Sequence, residues 1–261
     1  MPALSVVDLT LSFGGLNALG EVNLEVPDRS LFAVIGPNGA GKTSFFNCVT
    51  GYYRPTRGSV RLDGREISGL PVDEVARLGV RRTFQNVRVF PKLSALENVL
   101  AGAHLRTSAN LATSVLGTPR ARRHERELAA EAQQWLDYVG LGAKARVLAG
   151  DLPYGMRKRL EVARALIAKP SVLLLDEPAA GVSSVERDEL ADVVAKTWRE
   201  GVTVVMIEHD VELVMRLAST VAVLDHGRLL AVGSPETVRN DPRVIEAYLG
   251  RRRSQGSWGQ T

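Results

Sequence analysis

The sequence of 261 residues predicts an α/β fold built around a mostly parallel sheet. Three short runs carry this prediction: "LFAVI" at 31–35, "SVLLL" at 171–175 and "VTVVMI" at 202–207. Each run has strand length and is apolar at nearly every position, which is typical of parallel strands covered on both faces. Polar residues follow each run, at the end of the strands where open parallel sheets bind their ligands.

Two other regions depart from this pattern. The runs at 4–26 and 58–63 alternate apolar and polar residues, which predicts an antiparallel β subdomain. Between 92 and 168 the spacing becomes helical in "SALENVLAGAHL", "RARRHERELAAEAQQWLDYVGL" and "GMRKRLEVARALIA". We therefore expect an inserted α-helical subdomain there. The stretch "TVAVLDHGRLLAVG" at 220–233 is interpreted as one further β-type run.

The predicted domain organisation follows from these regions. Residues 1–91 and 169–240 form the core together with the N-terminal antiparallel β subdomain, and 92–168 form the helical subdomain. Residues 241–261 are expected to form a C-terminal helix and a mobile tail, because the ending "RRRSQGSWGQT" is polar and contains glycine.

Composition indicates a packed soluble protein. The chain is 45% apolar and 24% charged, and its formal net charge of +4 is too small and too scattered to argue for nucleic acid by itself. Cys48 is the single cysteine, so no internal disulfide is expected. The start "MPALSVVDLT" does not suggest a secretory signal, and no apolar run approaches the ~20 residues that cross a bilayer. Any membrane crossing is expected to fall to other subunits.

The segment "GPNGAGKTS" lies between a strand-type run and a helical one and fits the phosphate-binding pattern G-x-x-x-x-G-K-[ST]. Its glycines let successive N–H groups point at phosphate oxygens, and the helix that follows adds its positive end. Lys42 is expected to reach the β- and γ-phosphates, Thr43 to ligate Mg²⁺, and Ser44 to touch the α-phosphate. The predicted nucleotide-binding residues of this segment are Gly36, Pro37, Asn38, Gly39, Ala40, Gly41, Lys42, Thr43 and Ser44. Kinases, GTPases and motor ATPases share this motif, so it does not choose among them.

Four residues beyond this segment are candidates for metal binding and catalysis. Asp176 ends the second buried run and is predicted to hold Mg²⁺, directly or through water. Glu177 is predicted to polarise an attacking water, which a hydrolase needs and a simple kinase does not. His209 follows the third run and is interpreted as a contact to the γ-phosphate. Gln85, in "RRTFQN", is a candidate for the metal or the water.

In this order the motifs resemble those of the ATP-binding cassette (ABC) ATPases, over residues 4 to about 250. This resemblance implies a P-loop NTPase (RecA-like) core that binds ATP and Mg²⁺. It places Phe13 on the adenine, Gln85 in the glutamine loop and His209 as the switch histidine. It also makes "LPYGMRKRLEVARAL" (152–166), with Tyr154 and Gly155, the signature segment, and "AAGVS" (179–183) the dimer loop.

The resemblance also implies partners. Two ATPase subunits, identical or paralogous, would close head to tail over two ATP molecules, each site joining one P-loop to the other subunit's signature segment. The segment 86–94, with Phe90, would meet membrane permease subunits at the cytoplasmic face of the cell membrane. This chain departs from the usual Leu-Ser-Gly-Gly-Gln signature, because Pro153 replaces the serine and has no N–H to donate. Ser183 stands where the dimer loop commonly has aspartate, which affects the expected communication between the two sites.

A narrower resemblance concerns the cargo. The signature Tyr-Gly, "DEPAAGV", "IEHDVELVM", "DPRVIEAYLG" and the insert at 105–127 are similar to the ATPases of branched-chain amino acid importers. These work with permeases and, indirectly, a solute-binding protein. ATPases for urea or amide uptake and for lipopolysaccharide export are similar too, and remain alternatives.

Two rival classes fit the sequence less well. A soluble cassette ATPase acting on nucleic acid usually has two cassettes or long coiled-coil arms, and this chain has one of each motif. Its basic clusters at 120–126, 157–159 and 251–253 lack interleaved aromatic residues and are interpreted as solvated helix faces or tail, so no nucleic-acid partner is expected. A P-loop kinase would have no use for the signature segment.

Overall fold

The structure is a computed structural model that describes residues 2–104 and 119–255. Within these ranges the strands are β1 (Pro2–Phe13), β2 (Leu16–Pro27), β3 (Leu31–Ile35), β4 (Arg57–Leu62), β5 (Arg65–Glu66), β6 (Val80–Arg82), β7 (Val172–Asp176), β8 (Thr203–Ile207), β9 (Thr220–Asp225) and β10 (Arg228–Gly233). The α-helices are α1 (Lys42–Val49), α2 (Val72–Arg77), α3 (Ala95–Gly102), α4 (Pro119–Tyr138), α5 (Tyr154–Leu166), α6 (Ser184–Arg199), α7 (Val211–Leu217), α8 (Pro235–Arg239) and α9 (Pro242–Gln255). Two short 3₁₀ turns, Gly142–Lys144 and Ala149–Asp151, precede α5.

A six-stranded sheet forms the centre, in the order β10-β9-β3-β8-β7-β6. All neighbouring pairs except β9–β10 run parallel. The three apolar runs are β3, β7 and β8, and every residue of these strands is buried. The α/β prediction is therefore confirmed, and the continuous apolar composition is explained by cover on both faces. Strand β6 has three residues and was not predicted.

The two faces of this sheet belong to two different cores. Phe32 and Val34 of β3 pack with Phe45 and Phe46 of α1 and with the inner side chains of β1, β2 and β4. The alternate residues of β3 pack on the other face, with α3, α4 and α5. Side chains of a strand point to opposite faces in turn, so a fully apolar strand contributes to both cores. Burial of each large apolar side chain contributes about 1.5–3 kcal/mol to folding.

The early alternating runs form a separate antiparallel sheet in the order β2-β1-β4-β5, as predicted. One of its faces closes the first core, and the other carries the polar residues of the alternation. Strand β2 also lies beside the phosphate-binding segment, because a side chain at Gly41 would meet the carbonyl oxygen of Ala18.

Helices α3, α4 and α5 lie within the predicted segment 92–168 and pack together. Helix α3 begins with a capping box, in which the Ser94 hydroxyl accepts from the Glu97 amide and Glu97 accepts from the Ser94 amide. It approaches α5 so closely that a methyl group at Gly102 would clash with the carbonyl oxygen of Arg164. The domain boundaries themselves stay a prediction, and residues 105–118 of the predicted insert lie outside the described residues.

Two expectations need correction. The stretch 220–233 is not one run but the hairpin β9–β10. His226 and Gly227 both have positive φ, 45° and 76°, which suits a two-residue hairpin turn whose twist matches that of the strands. At the C-terminus, α9 continues to Gln255 and takes in the first part of the predicted tail, while residues 256–261 lie outside the described residues.

The contact between α3 and α5 gives a test of the helical packing. Gly102→Ala should lower the free energy of unfolding by about 1–3 kcal/mol, because the added methyl forces two backbones apart. Urea unfolding followed by circular dichroism measures this change. Ala101→Ser, on the exposed side of the same helix turn, is the control. Equal effects of the two substitutions would contradict the close approach.

Candidate functional site

The carboxyl ends of β3, β7 and β8 meet at an open cleft of about 1030 Å³. The segment that follows β3 forms its floor, and the residues after β7 and β8 form one wall. The opposite wall comes from the start of β2 and from the turn of the β9–β10 hairpin. The cleft is lined by Leu16, Asn17, Ala18, Asn38, Gly39, Ala40, Gly41, Lys42, Thr43, Ser44, Gln85, Glu177, His209, His226 and Gly227.

The phosphate-binding segment bends sharply between β3 and α1. Gly39 and Gly41 have φ of 78° and 98°, values that side-chain-bearing residues rarely adopt. Gly36 lies against the carbonyl oxygen of Leu224, where a methyl group would clash. Lys42 opens α1, and its ammonium group donates to the carbonyl oxygens of Gly36 and Pro37 at 2.7 and 3.0 Å. The lysine charge is thus held inside the loop, over the N-terminal end of a helix.

Glu177 is the centre of the opposite wall. Its Oε2 atom accepts a hydrogen bond from the Gln85 amide nitrogen at 2.7 Å, and its Oε1 atom lies 2.8 Å from Nε2 of His209. The three predicted catalytic side chains therefore meet at one carboxylate. An arrangement of this kind can hold a water molecule for attack on a phosphoryl group, because the two neighbours fix the direction of the carboxylate.

The backbone of Glu177 is in the left-handed region, with φ of 48°. Such a conformation costs a residue with a side chain of order 1–3 kcal/mol and persists only where its surroundings fix it. Here the Glu177 N–H donates to the carbonyl oxygen of Ile207 at 2.9 Å. The Glu177 carbonyl oxygen accepts from the Ala180 amide at 3.1 Å and from the Lys158 ammonium at 2.8 Å. The strand-to-loop junction is therefore held from β8, from the following turn and from α5.

Asp176 does not line the cleft. Its Oδ2 atom accepts from the Arg82 guanidinium at 2.6 Å, and both side chains are almost fully buried. Arg82 also donates to Oδ1 of Asn47 at 2.6 Å, and its guanidinium lies over the rings of Phe46 and Phe84. Sequence reasoning missed Arg82, since nothing near it in the sequence marks a partner 94 residues away.

The ABC transporter family matches residues 19–180, and a branched-chain amino acid ATP-binding cassette transporter family matches residues 228–253. The chain belongs to the ABC transporter family. It is 49% identical to the high-affinity branched-chain amino acid transport ATP-binding protein BraF of Pseudomonas aeruginosa, over 95% of this chain and 98% of that protein. Identity to LivG of Escherichia coli K12, which has the same description, is 44% over the same shares. A crystal structure of an ABC transporter cassette in its ADP conformation has a TM-score of 0.84, with 28% identity, over 96% of this chain and 99% of that one. The P-loop NTPase core and ATP binding are thereby established as family properties.

Not every site residue predicted from the ABC motifs lies in the cleft. Phe13 is half-exposed, and its ring packs against Tyr53 at 5.2 Å, so its contact with adenine stays a prediction. Gly36, Pro37 and Asp176 lie behind the lining residues. His226 and Gly227 do line the cleft and were missed. The "DHG" sequence between two apolar runs was the available signal for their turn.

The segment predicted to be the ABC signature has neither Tyr154 nor Gly155 among the residues that line this cleft. Helix α5 begins at Tyr154 after Pro153, without a side-chain cap. Gly155 packs against the carboxylate of Glu186 so closely that a methyl group would clash. Ser183 caps α6 in a capping box with Glu186. The Ser183 amide and hydroxyl, and to a smaller extent the Gly155 amide, hold the pKa of Glu186 below its ordinary value.

The interpretation of 157–159 as a solvated basic face is wrong for two of its residues. Lys158 is 4% exposed and Arg159 is 7% exposed. Arg159 pairs with Glu189 at 3.0 Å and donates to the carbonyl oxygen of Val139. Lys158 donates to carbonyl oxygens beside the cleft. Both cations are buried because backbone and carboxylate oxygens replace their hydration.

The side-chain oxygens of Thr43 and Asp176 are ligands of the kind that Mg²⁺ prefers. Among the described residues, no group of three or more His, Cys, Asp and Glu side chains could hold a metal by itself. Magnesium in nucleotide sites, however, uses one or two protein oxygens and completes its shell with phosphates and water. Thr43 offers a hydroxyl on the cleft surface, and Asp176 has one oxygen that Arg82 does not bind.

Across the described ranges, the structure contains no helix long and apolar enough to cross a membrane.

The Arg82–Asp176 pair gives a test of the buried charges in this ABC cassette. Arg82→Met should lower the free energy of unfolding by about 3–5 kcal/mol, because the carboxylate is left buried without its cation. Urea unfolding at neutral pH measures the loss. Arg77→Met is the matched control, since Arg77 pairs with Asp73 on an exposed helix surface and should cost less than about 1 kcal/mol. A similar small loss for both variants would contradict the inferred pairing.

Proposed function

We propose that the chain is the ATP-hydrolysing subunit of an ABC importer for branched-chain amino acids. The observation that carries the hydrolytic part is the Glu177 carboxylate, held between Gln85 and His209 opposite the phosphate-binding segment. The cargo is supported by the descriptions of the relatives BraF and LivG and by the family match at 228–253. An ATPase subunit has no contact with the cargo, so the cleft itself carries no information on it.

In the proposed reaction, the N–H groups of residues 38–44 and the Lys42 ammonium bind the phosphates of ATP. Thr43 and Asp176 would hold Mg²⁺, with Gln85 nearby, and the bound metal would supply positive charge to the phosphate oxygens. Glu177 accepts the proton of the attacking water, and His209 contacts the transferred phosphoryl group. On binding of nucleotide, the side chains of Gln85 and His209 exchange a contact with Glu177 for contacts with water or phosphate.

A second ATPase subunit, identical or paralogous, completes each site in this proposal. Its signature segment, with Tyr154 and Gly155, faces the γ-phosphate. Pro153 cannot donate, and the Gly155 amide of a single chain faces Glu186. The positive N-terminal end of α5 would therefore attract the γ-phosphate instead. Closure of the dimer would require the Glu186 carboxylate to move away from that helix end.

The proposed surface for the permeases is the loop before α3. Asn98 fixes this loop, since its Oδ1 accepts from the Phe90 amide at 2.8 Å and its Nδ2 donates to the Phe90 carbonyl oxygen at 3.0 Å. Phe90 is 51% exposed, and the Arg164 guanidinium lies over its ring. A rigid backbone with an exposed aromatic ring suits a partner helix. The chain would then work at the cytoplasmic face of the cell membrane, with a solute-binding protein meeting the permeases.

The catalytic assignment is tested with Glu177→Gln. This substitution should leave ATP affinity within about twofold and reduce turnover at least about a hundredfold, because the amide cannot take a proton. Binding of a fluorescent ATP analogue and release of phosphate measure the two effects. Lys42→Ala is the contrasting variant and should weaken binding of the analogue. Turnover near that of the wild type in Glu177→Gln would exclude Glu177 as the base.

The transport assignment is tested in cells that depend on this chain for uptake. Phe90→Asp should abolish uptake of radiolabelled leucine while ATP binding by the purified chain is unchanged, because the charge disrupts only the permease surface. Uptake of labelled urea by the same cells distinguishes the cargo classes. Val232→Asp, on β10 at the edge of the sheet opposite β6, is the control. Normal leucine uptake with Phe90→Asp would contradict the proposed surface, and loss of urea uptake alone would contradict the cargo.

A further inference from the structure

A buried lysine joins helix α5, which carries the predicted signature segment, to the wall of the cleft that contains Glu177. Lys158 lies on the second turn of α5, and its side chain is directed to the junction after β7. Its ammonium donates to the carbonyl oxygen of Glu177 at 2.8 Å and to that of Gln85 at 3.2 Å. These are the two residues whose side chains also bind each other, through the 2.7 Å hydrogen bond from Gln85 to Glu177.

Polar groups around Lys158 offset the cost of burying its ammonium group. Burial lowers the pKa of Lys158, and the nearby carboxylates of Glu161, Glu208, Glu177 and Asp176 oppose that effect. The ammonium also lies 5.6 Å from the ring centre of Tyr154, which covers it from the side of the helix start. A buried ammonium is tolerated only with such partners, and its hydrogen bonds go to the two carbonyl oxygens.

A second contact from the same helix supports the same connection. Glu161, one turn after Lys158, is also buried and accepts from the Arg88 amide at 3.3 Å. Helix α5 therefore binds the glutamine loop on both sides of residues 86 and 87, with a cation at Gln85 and a carboxylate at Arg88. A displacement of α5 would therefore shift the backbone at Gln85 and Glu177.

We propose that Lys158 is a positioning residue for ATP hydrolysis, which fixes the backbones of Glu177 and Gln85 and so ties the catalytic carboxylate to the signature helix. This rests on the proposed role of Glu177. The left-handed backbone at Glu177 has three anchors, and Lys158 is the only one of them supplied by a side chain. Without it, the carbonyl group keeps only its bond to the Ala180 amide, and the backbone that carries the Glu177 carboxylate is held less firmly.

The test uses the full chain with Lys158→Met, which keeps the length of the side chain and removes the donor. We expect kcat to fall about tenfold to a hundredfold, since misplacement by about 1 Å has effects of this size, while Kd for ATP changes less than about twofold. Lys158→Arg keeps N–H donors and should recover part of kcat. Lys196→Met, on α6 and in contact with Tyr138 outside the cleft, is the control and should leave kcat unchanged.

A readout independent of activity is hydrogen exchange of the backbone amides. Lys158→Met should speed exchange at residues 177–180, because the Ala180 amide is bound to the carbonyl group that loses its second donor. The control variant should show the wild-type pattern there. Unchanged exchange at 177–180, together with unchanged kcat, would overturn the proposal. If Lys158→Met does not fold, Lys158→Gln with the same two measurements decides, because its amide is uncharged and one bond shorter than the lysine side chain and should not hold both carbonyl oxygens. Wild-type values of both measurements in Lys158→Gln would overturn the proposal.

A double-mutant comparison separates this inference from the proposed function. In a Glu177→Gln background, Lys158→Met should cause no further loss in single-turnover hydrolysis, because both residues act through one carboxylate. An equal further loss in that background would show that Lys158 acts elsewhere and would overturn the inference alone. High turnover of Glu177→Gln by itself would instead overturn the role of Glu177. A rise in Kd for ATP with kcat unchanged would make Lys158 a nucleotide-binding residue and would also overturn the inference.

Discussion

The register of the parallel sheet at Ile207 is the constraint on which the site depends. Ile207 pairs with Val34 on one side and with Asp176 on the other, so β3, β8 and β7 end at the same level. The chain turns away from each strand within two residues of that level, which brings the phosphate-binding segment, Glu177 and His209 to one cleft. A shift of one residue in either pairing would direct alternate side chains to the opposite face. The backbone pairing of these three strands therefore fixes the positions of the candidate catalytic groups.

Beneath the cleft, the fold buries charge in a way that restricts movement of the loops. Glu208 is buried and accepts from the amides of Ala179 and His209, at 2.7 and 3.1 Å, and burial raises its pKa. Arg82 holds Asp176, and Lys158 holds the carbonyl group of Glu177. Buried charges of this kind contribute little net stability, since desolvation offsets much of the attraction. They do impose one geometry, because each group loses its partners when a loop moves.

The sequence was sufficient for features that are local. The apolar runs predicted β3, β7 and β8, because burial on both faces requires an apolar residue at nearly every position. The glycine pattern predicted the loop at 36–44, because the backbone of that loop requires glycine. Contacts between residues far apart in the chain produce no such local pattern. Lys158 lies in a run of three basic residues that looks solvated, and only the packing of α5 against the glutamine loop shows that it is buried. Arg82 was missed for the same reason.

The departures of this chain from the usual family pattern have a local structural explanation. Ser183 and aspartate are both good helix N-caps, so the start of α6 is kept while a negative charge is absent from the predicted dimer loop. The carboxylate of Glu186 instead lies at the start of α5, against Gly155. A phosphate oxygen and this carboxylate would compete for the same positive helix end. In a dimer of the proposed kind, nucleotide binding at the signature segment is therefore opposed by a group of the same chain, and the capping box that holds Glu186 contributes to the cost of closure.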